Sequence, residues 1–182
     1  MDTRSRTVLM LVLSVVAVGI SVAQDKKAHA THEQTRFVEG DPLQQAVGLS
    51  ANVLKVLLET EEGKQGLAFA NDSQQKNAAR LFQAREIHLS GPDEVDLIVV
   101  GIPPMTGADN GWFWLVRSAN KNPQVVLFSG GNTLELMGSK TLGYRDIRSV
   151  FSTASETRKA IYHFDGKQYK LWNDKWTKNR DN

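Results

Sequence analysis

Three short apolar runs decide the fold of this 182-residue chain: LIVV at residues 97–100, WFWLV at 112–116 and VVLF at 125–128. Each run is apolar at consecutive positions, and strands of this kind are normally covered on both faces. Gly, Pro and Asn residues occur in the short segments between the runs. Because a crossover to a parallel strand needs about a dozen residues or more, these spacings predict antiparallel neighbours.

The residues before these runs have helical periodicity. Asp41-Pro42 combines a capping side chain with a Pro at the first helical position, and apolar residues recur at helical spacing as far as Leu58. Ser50 offers a second helix start, so two shorter helices are the alternative. We therefore predict an α+β fold in which N-terminal helices pack on an antiparallel β-meander of about seven or eight strands.

The last strand pair gives the clearest local signal. Residues 158–164 and 167–172 flank Asp165-Gly166, a dipeptide that is typical of a two-residue hairpin turn of the primed type. The residues from 175 to 182 are polar, and we predict a frayed tail there.

Residues 1–23 have the build of a secretory signal peptide, with a basic start, an apolar run and small residues before a cleavage point after Ala23. We expect a flexible lead-in at 24–40 and a single α+β domain at 41–174. A retained membrane anchor is the alternative, but the apolar run is short of the roughly 20 residues that span hydrocarbon. We therefore expect no stable membrane span after cleavage and a periplasmic or secreted location.

Composition excludes several classes of function. The chain has no Cys, which excludes a disulfide framework, a thiolate zinc site and a thiol nucleophile. An exported protein without disulfides fits a bacterial envelope best. The balance of 22 Lys+Arg against 20 Asp+Glu gives no electrostatic case for nucleic acid as a partner. There is no nucleophile elbow, phosphate loop, dinucleotide fingerprint or paired-His motif, so we expect no cofactor and no metal.

The stretch GADNGWFW at residues 107–114 contains the candidate ligand-binding residues. Carboxylate and amide groups next to aromatic rings are the parts of a sugar or peptide site. Trp112 and Trp114 are predicted to share one face of the strand. The alternative is that both indoles belong to the core and that the polar pair only makes the turn. The candidate site residues are Asp109, Asn110, Trp112 and Trp114.

A second polar cluster lies at the turn around Asp93, Glu94 and Asp96. Hard cations prefer several oxygen ligands from one loop. The cluster lacks the regular spacing and the closing bidentate Glu of a calcium loop, so we interpret it as a solvated turn.

The C-terminal half resembles a known group of sequences. Residues 143–147 read GYRDI, Ser155-Glu156 follow, and residues 162–169 read YHFDGKQY. This pattern is similar to a motif, approximately G-Y-x-D-I and then Y-x-F-D-G-x-x-Y, in exported bacterial proteins of unassigned function. The resemblance covers about half of the mature chain and implies an exported β-rich module. It supplies no activity and no catalytic residues.

Three functions are compatible with these observations. We favour a non-enzymatic exported binding module whose partner is an envelope protein, a glycan or a peptide, bound at the Asp109–Trp114 edge or at the terminal hairpin. The rival is a hydrolase of envelope polymers that uses Asp109 and Glu135 as acid and base. The third is an inhibitor of an envelope-attacking enzyme, with a protruding loop at Gly101–Gly111.

Overall fold

The computed structural model describes residues 33–107 and 110–179; the predicted signal peptide and residues 24–32 of the predicted lead-in lie outside this part. Three α-helices occupy its N-terminal third, followed by a short 3-10 helix. Their bounds are Ala51–Leu58 (α1), Glu61–Phe69 (α2), Asp72–Lys76 (α3) and Ala78–Leu81 (3-10). The strands are Arg36–Val38 (β1), Phe82–Ile87 (β2), Asp96–Gly101 (β3), Gly111–Arg117 (β4), Gln124–Gly131 (β5), Thr133–Thr141 (β6), Tyr144–Ser152 (β7), Glu156–Phe164 (β8) and Tyr169–Lys178 (β9).

The first sheet is antiparallel with the order β2-β3-β4-β5. Its strands β3, β4 and β5 contain the three apolar runs, and side chains on both faces of β3 and β4 are buried. Val99 pairs with Trp114, which in turn pairs with Phe128. The prediction of antiparallel neighbours that are covered on both sides is therefore confirmed for β3 and β4.

The second sheet is antiparallel with the order β1-β6-β7-β8-β9. The chain passes from β5 of the first sheet to β6 of the second at a single residue, Asn132. Asn132 Oδ1 accepts from the backbone N of Ser152 at 2.6 Å, and its own backbone N donates to Val150 O at 2.8 Å. The predicted meander of about seven or eight strands is confirmed only in part, because consecutive strands β2–β5 and β6–β9 are antiparallel neighbours but belong to two sheets. The described residues form nine strands in two sheets, because this corner moves the chain from one sheet to the other.

Two buried clusters use opposite faces of the β2–β5 sheet. One joins Phe113 and Ile98 of that sheet to Phe37, Leu134 and Ile147 of the other sheet. The two sheets therefore share this core, in the manner of a sandwich.

The other cluster contains Val99, Trp114 and Val116 of the β2–β5 sheet. It also contains Val53 and Leu57 of α1. Alternation along β4 accounts for this division, because successive side chains of a strand point to opposite faces. The protein is mostly β structure with few helices.

The helix predicted from Asp41-Pro42 is wrong, and the alternative start is confirmed. Residues 41–50 are not helical, since Val47 donates its backbone N to Ala84 O at 2.8 Å and bridges to strand β2. Helix α1 begins after Ser50, whose Oγ accepts from Val53 N at 3.3 Å. The side chain of Ser50 satisfies one of the backbone donors that a helix start leaves free.

Two segments predicted to be irregular are strands. Residues 36–38 of the predicted lead-in form β1, which pairs with β6 and buries Phe37 completely. Residues 175–178 of the predicted frayed tail belong to β9, where Trp176 pairs with Arg158. Polar composition misled both predictions, because pairing with a neighbouring strand holds these residues. Residues 180–182 lie outside the part that the structure describes.

The terminal hairpin exists, but its turn differs from the prediction. Phe164 pairs with Tyr169, so the connection has four residues, and Asp165 N donates to Gln168 O at 2.9 Å. Gly166 has φ +99°, a value that L side chains rarely adopt. The Asp-Gly signal therefore located the turn correctly and gave the wrong length.

Candidate functional site

The loop before β4 closes on itself through its backbone. Gly107 N donates to Asn110 O at 2.9 Å, and Thr106 bridges to Gly111. A Cβ on Gly107 would lie 2.2 Å from Asn110 Oδ1, so a larger residue there would displace the Asn110 side chain. Asn110 Oδ1 is buried and has no hydrogen-bond partner among the described residues. Asp109 lies outside them, so only one of the two predicted polar ligands is placed.

The two indoles of β4 take part in an aromatic cluster. Trp114 is fully buried and makes ring contacts with Phe82 at 5.5 Å and with Trp112 at 6.0 Å. Trp112 is half-buried and also contacts the ring of Phe128 at 5.9 Å. The predicted shared face is correct, and Trp114 belongs to the core cluster in this structure. A ring without solvent exposure has no free face for a ligand, and the core alternative is confirmed for it.

A cavity of about 460 Å³ opens beside the same loop. Its charged lining residues are Glu39 and Asp41, and the carboxylate of Glu39 accepts from Asn132 Nδ2 at 3.1 Å. The cavity wall does not include Asn110, Trp112 or Trp114. The structure therefore does not assemble the predicted sugar site around this cavity. The remaining lining residues are Gly40, Pro42, Gln83, Val100, Gly101, Ile102, Pro103, Thr106, Gly107 and Gly111.

The loop predicted to protrude as an inhibitory element is anchored at Met105. Met105 is fully buried, and its backbone N donates to Ile102 O at 2.7 Å. A Cβ on Gly66 of α2 would lie 2.1 Å from Met105 Sδ, which shows how closely the two segments approach. This part of the Gly101–Gly111 loop therefore packs inward rather than projecting.

Of the two carboxylates proposed for the hydrolase, the structure describes only Glu135. Glu135 on β6 pairs with Arg148 on β7, where Oε2 accepts from Nε at 3.0 Å and from Nη2 at 2.5 Å. Its other cross-strand neighbour is Arg36. Glu135 is therefore held in an ion pair with Arg148 on the sheet. Asp109 lies outside the described residues.

The acidic turn is not uniformly solvated, because Asp96 is buried and the Oε2 atom of Glu94 is buried as well. Asp96 is fully buried and accepts from the backbone N of Leu89 and of Ser118, each at 3.0 Å. Burial raises the pKa of the Asp96 carboxyl above its ordinary value, although the two hydrogen bonds act in the opposite direction. The solvated interpretation is therefore wrong for Asp96. Its carboxyl group links the segment after β2 to the segment after β4 through these two hydrogen bonds.

Two other tryptophans are exposed on the terminal hairpin. Trp172 is 71% exposed and Trp176 is 52% exposed, both on the edge strand β9. The ring of Trp172 stacks on His163 of β8 with centroids 4.9 Å apart and an angle of 15°. Arg158 lies 5.7 Å from the centroid of Trp176. Both rings thus contact a neighbouring side chain and remain largely exposed.

Polar contacts hold the residues beneath these rings. Arg158 binds Asp174 through two hydrogen bonds of 2.8 Å, which lower the pKa of the Asp174 carboxyl and raise that of the guanidinium. Asp146 is buried, accepts from Thr141 Oγ1 at 2.7 Å and lies 3.8 Å from His163 Nε2. The imidazole is thereby positioned between Asp146 and the Trp172 ring.

Sequence reasoning named the terminal hairpin as a binding surface but missed its tryptophans. Trp172 lay at the end of the predicted strand and Trp176 in the predicted tail. Strands β8 and β9 have 9 and 10 residues. A prediction that made the return strand as long as the strand before it would have included both tryptophans.

Several residues that carry the C-terminal resemblance lie in a turn or in the core. Gly143 has φ +83° in the turn between β6 and β7, and Phe164 and Tyr169 are buried. The hydroxyl of Tyr169 donates to Arg145 O at 2.9 Å, and burial raises its pKa above the ordinary value. The motif thus coincides with the turns and core contacts of the β6–β9 half.

Comparison with known proteins finds no matching family model, no matching curated protein and no matching solved structure. Among residues 33–107 and 110–179, no three His, Asp or Glu side chains are grouped so that they could hold a metal ion. Each helix that the structure describes is too short or too polar to cross a bilayer.

Proposed function

We propose that this protein is an exported, non-enzymatic binding module that engages its partner through the exposed tryptophans of the β8–β9 hairpin. The observation that carries the proposal is the exposure of Trp172 and Trp176, whereas Trp114 is buried and Trp112 is half-buried. Exposed large aromatic side chains are frequent at interaction sites. The two rings project from opposite faces of the hairpin, since Trp172 stacks on His163 whereas Trp176 pairs with Arg158.

The two rings are held in place before a partner arrives. Stacking on His163 orients Trp172, and Arg158 lies against Trp176. A ring that is already ordered loses less conformational entropy on binding, so more of the contact energy appears as affinity. This preorganisation favours a binding surface over a chance exposure of two side chains.

The proposal moves the binding surface away from the Asp109–Trp114 edge. Trp114 has no free face, and Trp112 makes edge contacts with two other rings. The hydrolase hypothesis loses support because Glu135 is held by Arg148. The terminal hairpin keeps the exposed aromatic surface that a binding role requires.

Export is part of the proposal and rests on the sequence of residues 1–23. The proposed location is the bacterial periplasm or the medium, after cleavage behind Ala23. N-terminal sequencing of native protein is expected to read from Gln24. Recovery of an intact Met1 from soluble cytosol would contradict export.

The helical segment is proposed to serve as the cover of the β2–β5 sheet. Its support is the presence of Val53 and Leu57 in the buried cluster of Val99 and Trp114. Leu57→Ala is expected to lower the free energy of unfolding by about 2–5 kcal/mol. A denaturation curve equal to that of the wild type would contradict this role of α1.

The binding role is tested by co-sedimentation of residues 24–182 with a panel of insoluble polymers: peptidoglycan, chitin, cellulose and immobilised polygalacturonate. We expect the wild type to sediment with at least one polymer and the double variant Trp172→Ala/Trp176→Ala to lose that binding. Phe69→Ala is the matched control, since Phe69 is 72% exposed on α2. Absence of binding to every polymer, or equal binding by the double variant, would contradict the proposal.

A further inference from the structure

The charge of the hairpin indicates the class of ligand. Residues 156–179 contain six Lys or Arg against three Asp or Glu, which leaves 16 basic and 17 acidic residues in the rest of the chain. Arg158 is already bound to Asp174. The excess of positive charge therefore belongs to the lysines of this one hairpin, next to its exposed rings.

Two of these lysines face each other without compensation. Lys159 of β8 and Lys175 of β9 are direct cross-strand partners, and both are exposed. Neither has an ion-pair partner within the part of the chain that the structure describes. Like charges directly opposite one another destabilise a strand pair. An anionic group bound between the two ammonium groups would remove this repulsion.

Trp172 provides an aromatic platform on the same face. His163 and Lys159 are four residues apart on β8, so their side chains project from one face, which we call the outer face of the hairpin. His163 covers one face of the Trp172 ring, and the ring is 71% exposed. The negative face of an indole attracts the C–H groups of a sugar ring. Trp172 lies three residues from Lys175, about 10 Å along the strand, so a ligand that touches both is a chain of rings.

From this combination we infer that the outer face of the β8–β9 hairpin binds an acidic polysaccharide. The inference rests on the proposed binding role of the hairpin and adds the chemistry of the partner. The Trp172 ring contacts a sugar ring, and the Lys159–Lys175 pair binds a carboxylate further along the chain. Neither a neutral glycan nor a compact anion uses both features.

The edge of β9 is a poorer site for an added peptide strand. A β-bulge at Trp172 interrupts the pairing of β9, since Leu171 pairs with Tyr162 and Asn173 with Ile161. Lys170 and Lys178 are exposed on the same strand. Bulges and lysines are the features by which edge strands resist pairing with other chains. The face of the hairpin is therefore favoured over its edge.

The test compares two polymers with the same sugar rings. Residues 24–182 are titrated calorimetrically with soluble polygalacturonate and with its fully methyl-esterified, uncharged form. We expect the acidic polymer to bind about tenfold more tightly or better, because charge-assisted contacts are lost with the ester. We also expect its affinity to fall as salt is added.

Variants separate the two features of the surface. Lys159→Gln/Lys175→Gln is expected to weaken polygalacturonate binding about tenfold, whereas Lys76→Gln/Lys121→Gln, with the same change in net charge at exposed positions elsewhere, leaves it unchanged. Trp172→Ala is expected to weaken the binding of both polymers.

Each other outcome overturns a defined part of the account. Equal binding of both polymers, with no effect of the lysine substitutions, would overturn the acidic ligand and leave the hairpin role intact. Binding of polyphosphate or polyglutamate as tight as that of polygalacturonate, with no effect of Trp172→Ala, would overturn the glycan. No binding of any of these polymers would overturn the acidic polysaccharide. Failure of the proposed function itself is seen separately, as absence of co-sedimentation with the whole insoluble panel.

Discussion

Two pairs of tryptophans show how strongly the strand environment decides the role of one residue type. Trp112 and Trp114 lie on β4, which has hydrogen-bonded neighbours on both sides. Trp172 and Trp176 lie on β9, which ends its sheet. The first pair contacts aromatic rings within a buried cluster, and the second contacts His163 and Arg158 at the surface. An indole becomes core or surface through the strands around it and not through its own hydrophobicity.

The same contrast holds for buried and exposed aspartates. The Asp96 carboxyl on β3 is buried beside two backbone donors, and burial raises its pKa. Asp174 on β9 binds Arg158 in solvent, and that hydrogen bond lowers its pKa. The interior strand thus penalises the charged form of a carboxyl, whereas the hairpin favours it.

The largest expected effect is the difference between single tryptophan substitutions in the two regions. Trp114→Ala is expected to lower the free energy of unfolding by about 3–5 kcal/mol, because it leaves a cavity in a fully buried cluster. Trp172→Ala is expected to change it by about 0.5 kcal/mol or less, as exposed substitutions do. Urea denaturation measures both variants, and equal losses would break the comparison.

A smaller loss is expected from Asp96→Asn. The amide would place an N–H group against a backbone donor, Leu89 N or Ser118 N, and one donor would stay unsatisfied. The expected cost is about 1–3 kcal/mol. Because the folded-state pKa of Asp96 is raised, its contribution to stability is fully present below the ordinary value of 3.8 and is lost as pH rises through the folded pKa.

The pH trend sharpens this prediction. The cost of Asp96→Asn is expected to be largest in acid and to shrink towards neutral pH. Denaturation curves at several pH values measure it. A cost that grows with pH would show that the hydrogen bonds outweigh burial at this site.

The opposite pH trend is expected for Asp174→Asn, with the smallest effect of the three. The folded-state pKa of Asp174 is lowered, so its contribution is present above the ordinary value of 3.8 and is lost as pH falls through the folded pKa. The pair with Arg158 lies at the surface, and salt is expected to weaken its effect. A cost of Asp174→Asn that is insensitive to both pH and salt would contradict this account of the hairpin.

The sequence predicted the strands in which consecutive residues are apolar and buried. Doubly apolar runs identified β3, β4 and β5, and Ser50 identified the start of α1. It could not predict β1 or the end of β9, because the strand character of these polar residues comes from partners that are distant in sequence. Arg36 pairs with Glu135, and Trp176 pairs with Arg158.

The division into two sheets was also beyond local patterns. A one-residue passage at Asn132 separates β5 from β6, and its effect depends on hydrogen bonds to Ser152 and Val150. For the candidate site, alternation placed Trp112 and Trp114 on one face correctly but could not tell which strand ends its sheet. That information decides which indoles are exposed.

The most direct test of the account is hydroxyl-radical footprinting of residues 24–182, read at each tryptophan by mass spectrometry, with and without polygalacturonate. The account predicts rapid oxidation of Trp172 and Trp176, protection of Trp114, and slower oxidation of Trp172 when the polymer is bound. Oxidation of Trp114 as fast as that of Trp172, or an unchanged rate at Trp172 in saturating polymer, would contradict it.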